Sequence, residues 1–168
     1  EDHDSVRELF MRALNAALDE LTAMRMREGE SLKRDMLGKL DTIERLRGQI
    51  ETRAPHVVEE YREKLSQRLS ALLSGDVDEA RFLTEVAIFA DRAAIDEELV
   101  RLTSHIAQLR AATAMENPVG RKLDFLVQEL NREFNTIGSK ASDAQIAQCV
   151  VEAKGEIEKL REQVQNIE

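Results

Sequence analysis

The sequence predicts an all-α protein in which about six helices form long antiparallel hairpins or a bundle. Three observations support this fold class. The 168 residues include only two prolines and seven glycines, which are the residues that most often interrupt helices. Aromatic residues make up 4% of the chain and charged residues 34%, a balance typical of long helices with solvated faces. Apolar residues also recur at intervals of three and four along most of the chain, as on amphipathic helices.

The first half of the chain is expected to contain three helices. The first begins at Ser5, which forms a capping box with Glu8 three residues later. Gly29 weakens the apolar pattern, and Pro55 should end the second helix because it cannot donate a backbone hydrogen bond. The third helix should close at Gly75, which suits a left-handed C-cap.

The second half is expected to contain three further helices, the first of them about 35 residues and ~50 Å long. A break with Asn-Pro and then Gly follows this long helix. The expected ranges are about 78–114, about 122–137 and about 143–166. The sequence therefore predicts two parts: an arm-like amino-terminal hairpin region, residues 1–77, and a carboxy-terminal helical domain, residues 78–168.

Composition excludes several classes of protein. The single cysteine, Cys149, excludes a disulfide framework and a Cys-rich zinc site, and it suits a reducing compartment. No apolar run approaches the ~20 residues of a membrane span, and the P-loop, GxGxxG, HExxH, GxSxG and CxxC motifs are absent. The net charge of −9 argues weakly against generic nucleic-acid binding. However, the acidic segment 76–98 precedes a segment, 110–140, in which cations outnumber anions. Because the chain opens on Glu1 rather than Met, we expect an amino-terminal part to be missing.

Polar residues recur every seven positions along the edge of the apolar stripe in the expected fourth helix. They are Asp91, Glu98 and His105, beside Ile95 and Leu102. Such residues either flank a helix seam as ion pairs with neighbouring arginines, or face a cleft and bind a divalent cation. Because seven residues rise about 10.5 Å, the three cannot bind one ion alone. A metal site here needs a ligand from a facing helix, another subunit or RNA.

The segment 120–140 carries a second polar pattern. Asp124, Gln128, Asn131 and Asn135 form an amide-rich stripe with cations around it. Amides and arginine hydrogen-bond phosphates and base edges, so this stripe predicts an RNA-binding face; the alternative is an ordinary solvated face. The residues expected to contact RNA are Arg101, Arg121, Lys122, Gln128, Asn131, Arg132, Asn135 and Lys140.

Four long segments stand out as a set. They are MRMREGESLKRDM (24–36), RFLTEVAIFADRAAIDEELVRLTSHIAQL (81–109), GRKLDFLVQELNREFNTIGSKASDAQI (120–146) and VVEAKGEIEKLREQVQNIE (150–168). Together they resemble the carboxy-terminal portion of the YicC/YloC family of bacterial proteins. The resemblance covers the chain from about residue 5 onward, and its motifs are long and specific.

This resemblance implies an endoribonuclease that cuts single-stranded or structured RNA with a divalent cation, manganese or magnesium. It also implies a cytoplasmic protein, associated with stress and stationary phase, that forms a homo-oligomer, expected to be a hexamer. Members of the family carry an amino-terminal domain of sheet and helix, which this sequence lacks. The RNA-degradation machinery is a further expected partner.

The roles of individual residues are hypotheses drawn from the sequence. The carboxylates expected to hold the metal ion are Asp91, Glu98, Glu85 and Glu129. His105 is expected to be a general acid or base, and Asp91 and Glu98 complete the catalytic set. Two alternatives stay open: a non-catalytic helical RNA-binding or adaptor protein that assists RNA degradation, and a purely structural coiled-coil oligomeriser.

Overall fold

The computed structural model describes residues 3–72, 78–115 and 119–165, and every regular element in them is an α-helix. Five helices follow in chain order: α1 His3–Leu72, α2 Glu79–Ala93, α3 Asp96–Ala112, α4 Gly120–Lys140 and α5 Ala144–Gln165. In the described residues, no helix is long and apolar enough to cross a membrane. The all-α fold class is confirmed, with five described helices where about six were expected.

The chain divides into two compact units, Glu1–Leu37 and Gly38–Glu168. In its described residues, the first unit consists of the beginning of α1. The second unit contains the remainder of α1 together with α2 to α5. The division into residues 1–77 and 78–168 stays a prediction.

Antiparallel packing of helices organises the second unit. Gln49 of α1 contacts Cys149 of α5, while Arg53, one turn later on α1, contacts Asp143 at the start of α5. α4 packs against both α3 and α5. The core consists of buried apolar side chains from four helices: Leu40, Ile43, Leu46 and Ile50 of α1; Leu102, Ile106 and Leu109 of α3; Leu126, Leu130 and Phe134 of α4; and Val150, Ala153, Ile157 and Leu160 of α5.

The helix α1 continues through Pro55, where the sequence predicted an end. A proline inside a helix removes one backbone hydrogen bond and costs about 3 kcal/mol. Buried Ile50 and Val57 flank it, and Arg53 donates hydrogen bonds to Glu60 in the next turns of α1. Packing on both sides of the proline thus outweighs its local cost, and the three helices expected in the first half form one.

The expected fourth helix is divided at Ala94 and Ile95, which separate α2 from α3. The backbone of Ala94 is extended, with ψ of 123°, and the Ile95 side chain is only 2% exposed. Because neither Pro nor Gly marks this joint, we attribute it to the burial of Ile95. Asp96, Glu97 and Glu98 open α3, where carboxylates interact favourably with the positive end of the helix dipole. The seven-residue polar column is therefore split between two helices.

Asp143 links the start of α5 to α1. Its Oδ1 accepts a hydrogen bond from the backbone N–H of Ile146 at 2.9 Å, which caps α5. Its Oδ2 accepts a hydrogen bond from Nη2 of Arg53 at 2.8 Å. The hydrogen bond from Arg53, above all, holds the pKa of the Asp143 carboxyl below its usual range.

Acid is expected to weaken the fold through Asp143, and the Asp143→Asn variant isolates this contribution. Since the pKa of Asp143 is lower in the folded chain than in the unfolded one, the carboxylate stabilises the fold above about pH 4. This stabilisation is lost as the pH falls through the folded-state pKa. Asparagine keeps an oxygen that can cap α5 but carries no charge.

Urea unfolding of both proteins as a function of pH measures the effect. The unaltered chain should have the higher free energy of unfolding at pH 7, and its advantage should shrink progressively below about pH 4. An advantage that grows as the pH falls contradicts the assignment.

Candidate metal centre

Charged side chains line the contact between α3 and α4, among otherwise apolar residues. Glu98 on α3 and Glu133 on α4 are only 3% and 4% exposed, although glutamate is almost never buried unless it is paired. Arg101 and His105 follow Glu98 by three and seven positions, on the same face of α3. We call the whole set the charged seam: Glu98, Arg101 and His105 of α3 with Glu129, Glu133 and Lys140 of α4.

At one end of the charged seam, two cations neutralise Glu98. Its Oε1 accepts hydrogen bonds from Nζ of Lys140 at 2.9 Å and from Nη2 of Arg101 at 3.1 Å. Burial raises the pKa of Glu98, but the hydrogen bond from Lys140 and the nearby positive charges outweigh it, so the pKa lies below its usual range. Glu98 is therefore ionised at neutral pH and ties α3 to the end of α4.

Arg101 connects the carboxylates of the charged seam. Its Nε donates a hydrogen bond to Oε1 of Glu133 at 2.9 Å, and its Nη1 donates one to Oε2 of Glu97 at 3.2 Å. The hydrogen bond to Glu133 is the largest of the effects that raise the pKa of Arg101, so the guanidinium stays charged. This ion pair fixes the position of the Glu133 carboxylate.

At the other end of the charged seam, His105, Glu129 and Glu133 bring three candidate metal ligands together. One nitrogen of His105 and one carboxylate oxygen of each glutamate lie within 4.8 Å of one another. Both ring nitrogens of His105 are buried, and neither has a hydrogen-bond partner among the described residues. A buried polar group without a partner is unfavourable, and coordination of a metal ion would satisfy one of the two nitrogens.

The geometry and donor atoms of this cluster fit a divalent transition-metal ion. Ligands placed ~2.1 Å from an octahedral ion lie about 3–4 Å from one another. The donor atoms of the cluster are separated by no more than 4.8 Å, which is close to that spacing. An imidazole with two carboxylates favours manganese over magnesium, because magnesium prefers an all-oxygen shell.

Of the carboxylates predicted to bind metal, only Glu129 belongs to this cluster. Asp91 and Glu85 are exposed on α2. Glu98 lies about two turns before His105 and is engaged in ion pairs at the far end of the charged seam. The metal-binding roles of these three residues, and the catalytic roles of Asp91 and Glu98, stay predictions.

Glu133 is the member of the cluster that sequence reasoning missed. It lies between Leu130 and Phe134, in the middle of the stripe that α4 buries. A glutamate at a buried position is the same signal that drew attention to Glu98 and His105 on α3. Its spacing of four from Glu129 adds a second signal, because two residues so spaced share one face of a helix.

The residues predicted to bind RNA differ in their exposure and in the contacts that they make. One group is exposed on α4: Arg121, Lys122, Gln128, Arg132 and Asn135. Arg101 and Lys140, in contrast, form the ion pairs of the charged seam. Asn131 is half-buried, and its Oδ1 has no hydrogen-bond partner among the described residues. The exposed group can therefore contact a ligand without breaking an ion pair of the charged seam.

A cavity of about 890 Å³ lies elsewhere in the second unit, between α1 and the start of α5. Its lining includes Arg45, His56 and Cys149 but no residue of the charged seam. Burial raises the pKa of the Cys149 thiol, so the thiol is protonated and a poor nucleophile at neutral pH. The described residues that line the cavity also include no carboxylate, so the cavity does not combine an imidazole with carboxylates as the cluster of His105, Glu129 and Glu133 does.

Known proteins resemble this chain along its whole length. Residues 50–168 match a family model described as "Endoribonuclease YicC-like, C-terminal". The chain is 48% identical over 170 residues to the probable endoribonuclease YicC of Clostridioides difficile. It is 38% identical over 169 residues to the protein of the same name from Haemophilus influenzae. Each alignment covers all of this chain and 58% of the relative, so the chain spans little more than half the length of these relatives.

Proposed function

The chain belongs to the family of YicC-like endoribonucleases, and from this premise we propose that it is the helical, metal-binding part of a divalent-cation-dependent endoribonuclease. The observation that carries the proposal is the cluster of His105, Glu129 and Glu133, whose donor atoms lie within 4.8 Å of one another. The names of the two relatives indicate the reaction, which is cleavage of bonds inside an RNA strand. The cluster supplies a place on this chain where the reaction can occur.

In the proposed centre, His105, Glu129 and Glu133 hold the cation through one nitrogen and two carboxylate oxygens. A divalent ion held there would act as a Lewis acid on the phosphate and would lower the pKa of a water molecule. Arg101 positions Glu133 through the hydrogen bond to Oε1. In this proposal His105 is a neutral ligand, which replaces the acid–base role suggested by the sequence.

The proposed substrate is bound through the exposed cations of α4. Arg121 and Lys122 open the helix, and Arg132 lies near its middle with 73% of its side chain exposed. Phosphate contacts supply most of the affinity of a protein for nucleic acid. Because the whole chain has a net charge of −9, binding must depend on a local surface of this kind.

Metal removal tests the proposal directly. This chain, incubated with end-labelled RNA, should cleave it with manganese, should cleave it more slowly with magnesium, and should stop in excess chelator until manganese is restored. Calorimetric titration of the RNA-free chain with manganese gives a second readout, which does not depend on turnover. Cleavage that persists in chelator, with no manganese bound in the titration, contradicts the metal centre.

A non-catalytic adaptor that presents RNA for degradation is the second candidate function. It is favoured by the ion pair between Glu133 and Arg101, which accounts for a buried carboxylate of the cluster without a metal ion. An adaptor should bind RNA and leave it intact with every metal ion that is added. The same should hold when the part of a full-length relative that this chain does not match is also added. The cleavage assay therefore separates the two functions.

We further propose that the chain assembles with copies of itself, as a hexamer, through the first unit. An apolar stripe with helical spacing runs along α1, and its members are exposed: Val6, Phe10, Ala13, Leu14, Ala17, Leu21 and Met24. An amphipathic helix gains most of its stability from packing of its apolar face. A second copy offers the same face, as closed symmetric assemblies require.

A further inference from the structure

The outer face of α4 contains one aromatic side chain set among polar and cationic ones. Arg121, Phe125, Gln128, Arg132 and Asn135 follow one another at intervals of four and three, so they share a single face of the helix. All five are exposed. On the opposite side, the apolar stripe of α4 is buried in the core.

Phe125 is unusual on this face because its neighbours there are polar or cationic, whereas the other large apolar side chains of α4 lie in the buried stripe. Its side chain is 57% exposed, while Phe134, nine residues later on the same helix, is completely buried. Among the described residues of α4, Phe125 is the only large apolar side chain left exposed. An aromatic ring held in solvent by a rigid helix is available to stack against a planar ligand.

The charge around Phe125 identifies the kind of ligand. Arg121 precedes the ring by one turn and Arg132 follows it by two, and Lys154 of α5 joins the same surface through its hydrogen bond to Asn135 at 2.8 Å. The carboxylate of Asp124 accepts a hydrogen bond from Gln128 at 2.7 Å. A cationic surface around an exposed ring suits single-stranded nucleic acid, in which bases stack on aromatic side chains and phosphates contact arginine.

Phe125 also lies beside the cluster of His105, Glu129 and Glu133. Glu129 follows Phe125 by four residues, so their Cβ atoms are about 6 Å apart on adjacent turns. Arg132 reaches the carboxylate of Glu129, with Nη1 and Oε2 separated by 3.8 Å. A nucleotide whose base rests on Phe125 therefore has its phosphate within reach of the cluster.

We propose that Phe125 is a stacking platform for an unpaired base, and that it selects RNA in which a nucleotide next to the cleaved phosphate lies outside a duplex. Arg121 and Arg132 bind the phosphates on either side of that nucleotide. A base inside a duplex already stacks on its neighbours and cannot reach the ring. This inference rests on the proposed function for the identity of the reaction, but the stacking itself needs no metal.

Metal-free binding measured by fluorescence anisotropy tests the platform. The probes are a single-stranded RNA of 12 nucleotides and a blunt RNA duplex of the same length, with the unaltered chain, Phe125→Leu and Phe125→Trp. Stacking of one base accounts for between about 5-fold and 150-fold in affinity. Phe125→Leu should lose that factor for the single strand and none for the duplex, whereas Phe125→Trp should retain it.

Val100→Ala is the matched control, because Val100 is an apolar side chain with 70% exposure on α3. It should bind both probes as the unaltered chain does. Equal affinity of Phe125→Leu and the unaltered chain for the single strand overturns the platform. So does a fall in the mass of the assembly with Phe125→Leu, which would place the ring in a contact between copies.

The two proposals fail in different ways. If the metal centre is wrong, chelator leaves cleavage unchanged while Phe125→Leu still weakens metal-free binding of the single strand. If the platform is wrong, cleavage still depends on manganese, and Phe125→Leu cleaves and binds RNA as the unaltered chain does.

Discussion

Replacing Glu129 with glutamine is expected to lower manganese-dependent cleavage of RNA by more than about 100-fold, since loss of a residue that merely orients a metal ligand costs about 10-fold to 100-fold in affinity or activity. Glutamine keeps the size of the side chain but lacks the negative charge. Glu129 is the best member of the cluster to replace, because its ion pair is with the exposed Arg132 and spans 3.8 Å, so its loss should cost little stability. Glu133, in contrast, also anchors Arg101, so its replacement would disturb the fold.

Glu156→Gln is the matched control for this variant. Both glutamates have side chains that are 23% exposed, and each forms an ion pair with a cation three residues later on its own helix. The control should cleave RNA and bind manganese as the unaltered chain does. If Glu129→Gln and Glu156→Gln retain the same cleavage rate and the same manganese affinity, Glu129 is not a metal ligand.

Placing glutamate at Phe10 and Leu21 together is expected to dissociate the assembly of this chain. The two side chains are 65% and 50% exposed in a single copy and belong to the apolar stripe of α1. Glutamate is a good helix former, so α1 should persist while two charges per copy enter each contact. Buried charges without partners cost several kcal/mol each, so two of them in each copy should destabilise the contact between copies.

The matched control places the same two charges on the opposite side of α1, at Asn15 and Met26, where Met26 is 72% exposed. Light scattering coupled to size-exclusion chromatography gives the mass of each protein. The unaltered chain and the control should run as the same oligomer, and the Phe10→Glu, Leu21→Glu variant should run as a monomer. An unaltered chain that is already monomeric at high concentration rules out the proposed assembly.

The seven-residue periodicity of polar residues identified the part of the candidate site that lies on α3. Glu98 and His105 were singled out because polar residues recurred at the edge of an apolar stripe, and both lie in the contact with α4. The rise of about 10.5 Å between them led to the expectation that a facing helix, another subunit or RNA completes any site. α4 does face His105 with Glu129 and Glu133.

The rest of the site could not be read from local patterns. Asp91 belongs to the same heptad column, but the joint at Ile95 places it on α2, and no helix-breaking residue marks that joint. At Ile95, burial of the side chain interrupts a helix that the local pattern predicted to continue. At Pro55 the reverse holds, because packing keeps α1 helical where the local pattern predicted an end. Ion pairs between helices, such as that of Arg101 with Glu133, depend on how α3 and α4 align. The periodicity of a single helix carries no information about that alignment.

The charged seam has a consequence for the register of these two helices. Sliding α4 by one turn along α3 would separate Lys140 from Glu98 and Glu133 from Arg101. A buried glutamate that loses its partner costs about 3–5 kcal/mol, whereas apolar side chains alone tolerate several registers. The ion pairs therefore penalise every alignment but one, and that alignment is the one in which His105 meets Glu129 and Glu133. The same residues that hold the helices in register thus determine the spacing of the candidate ligands.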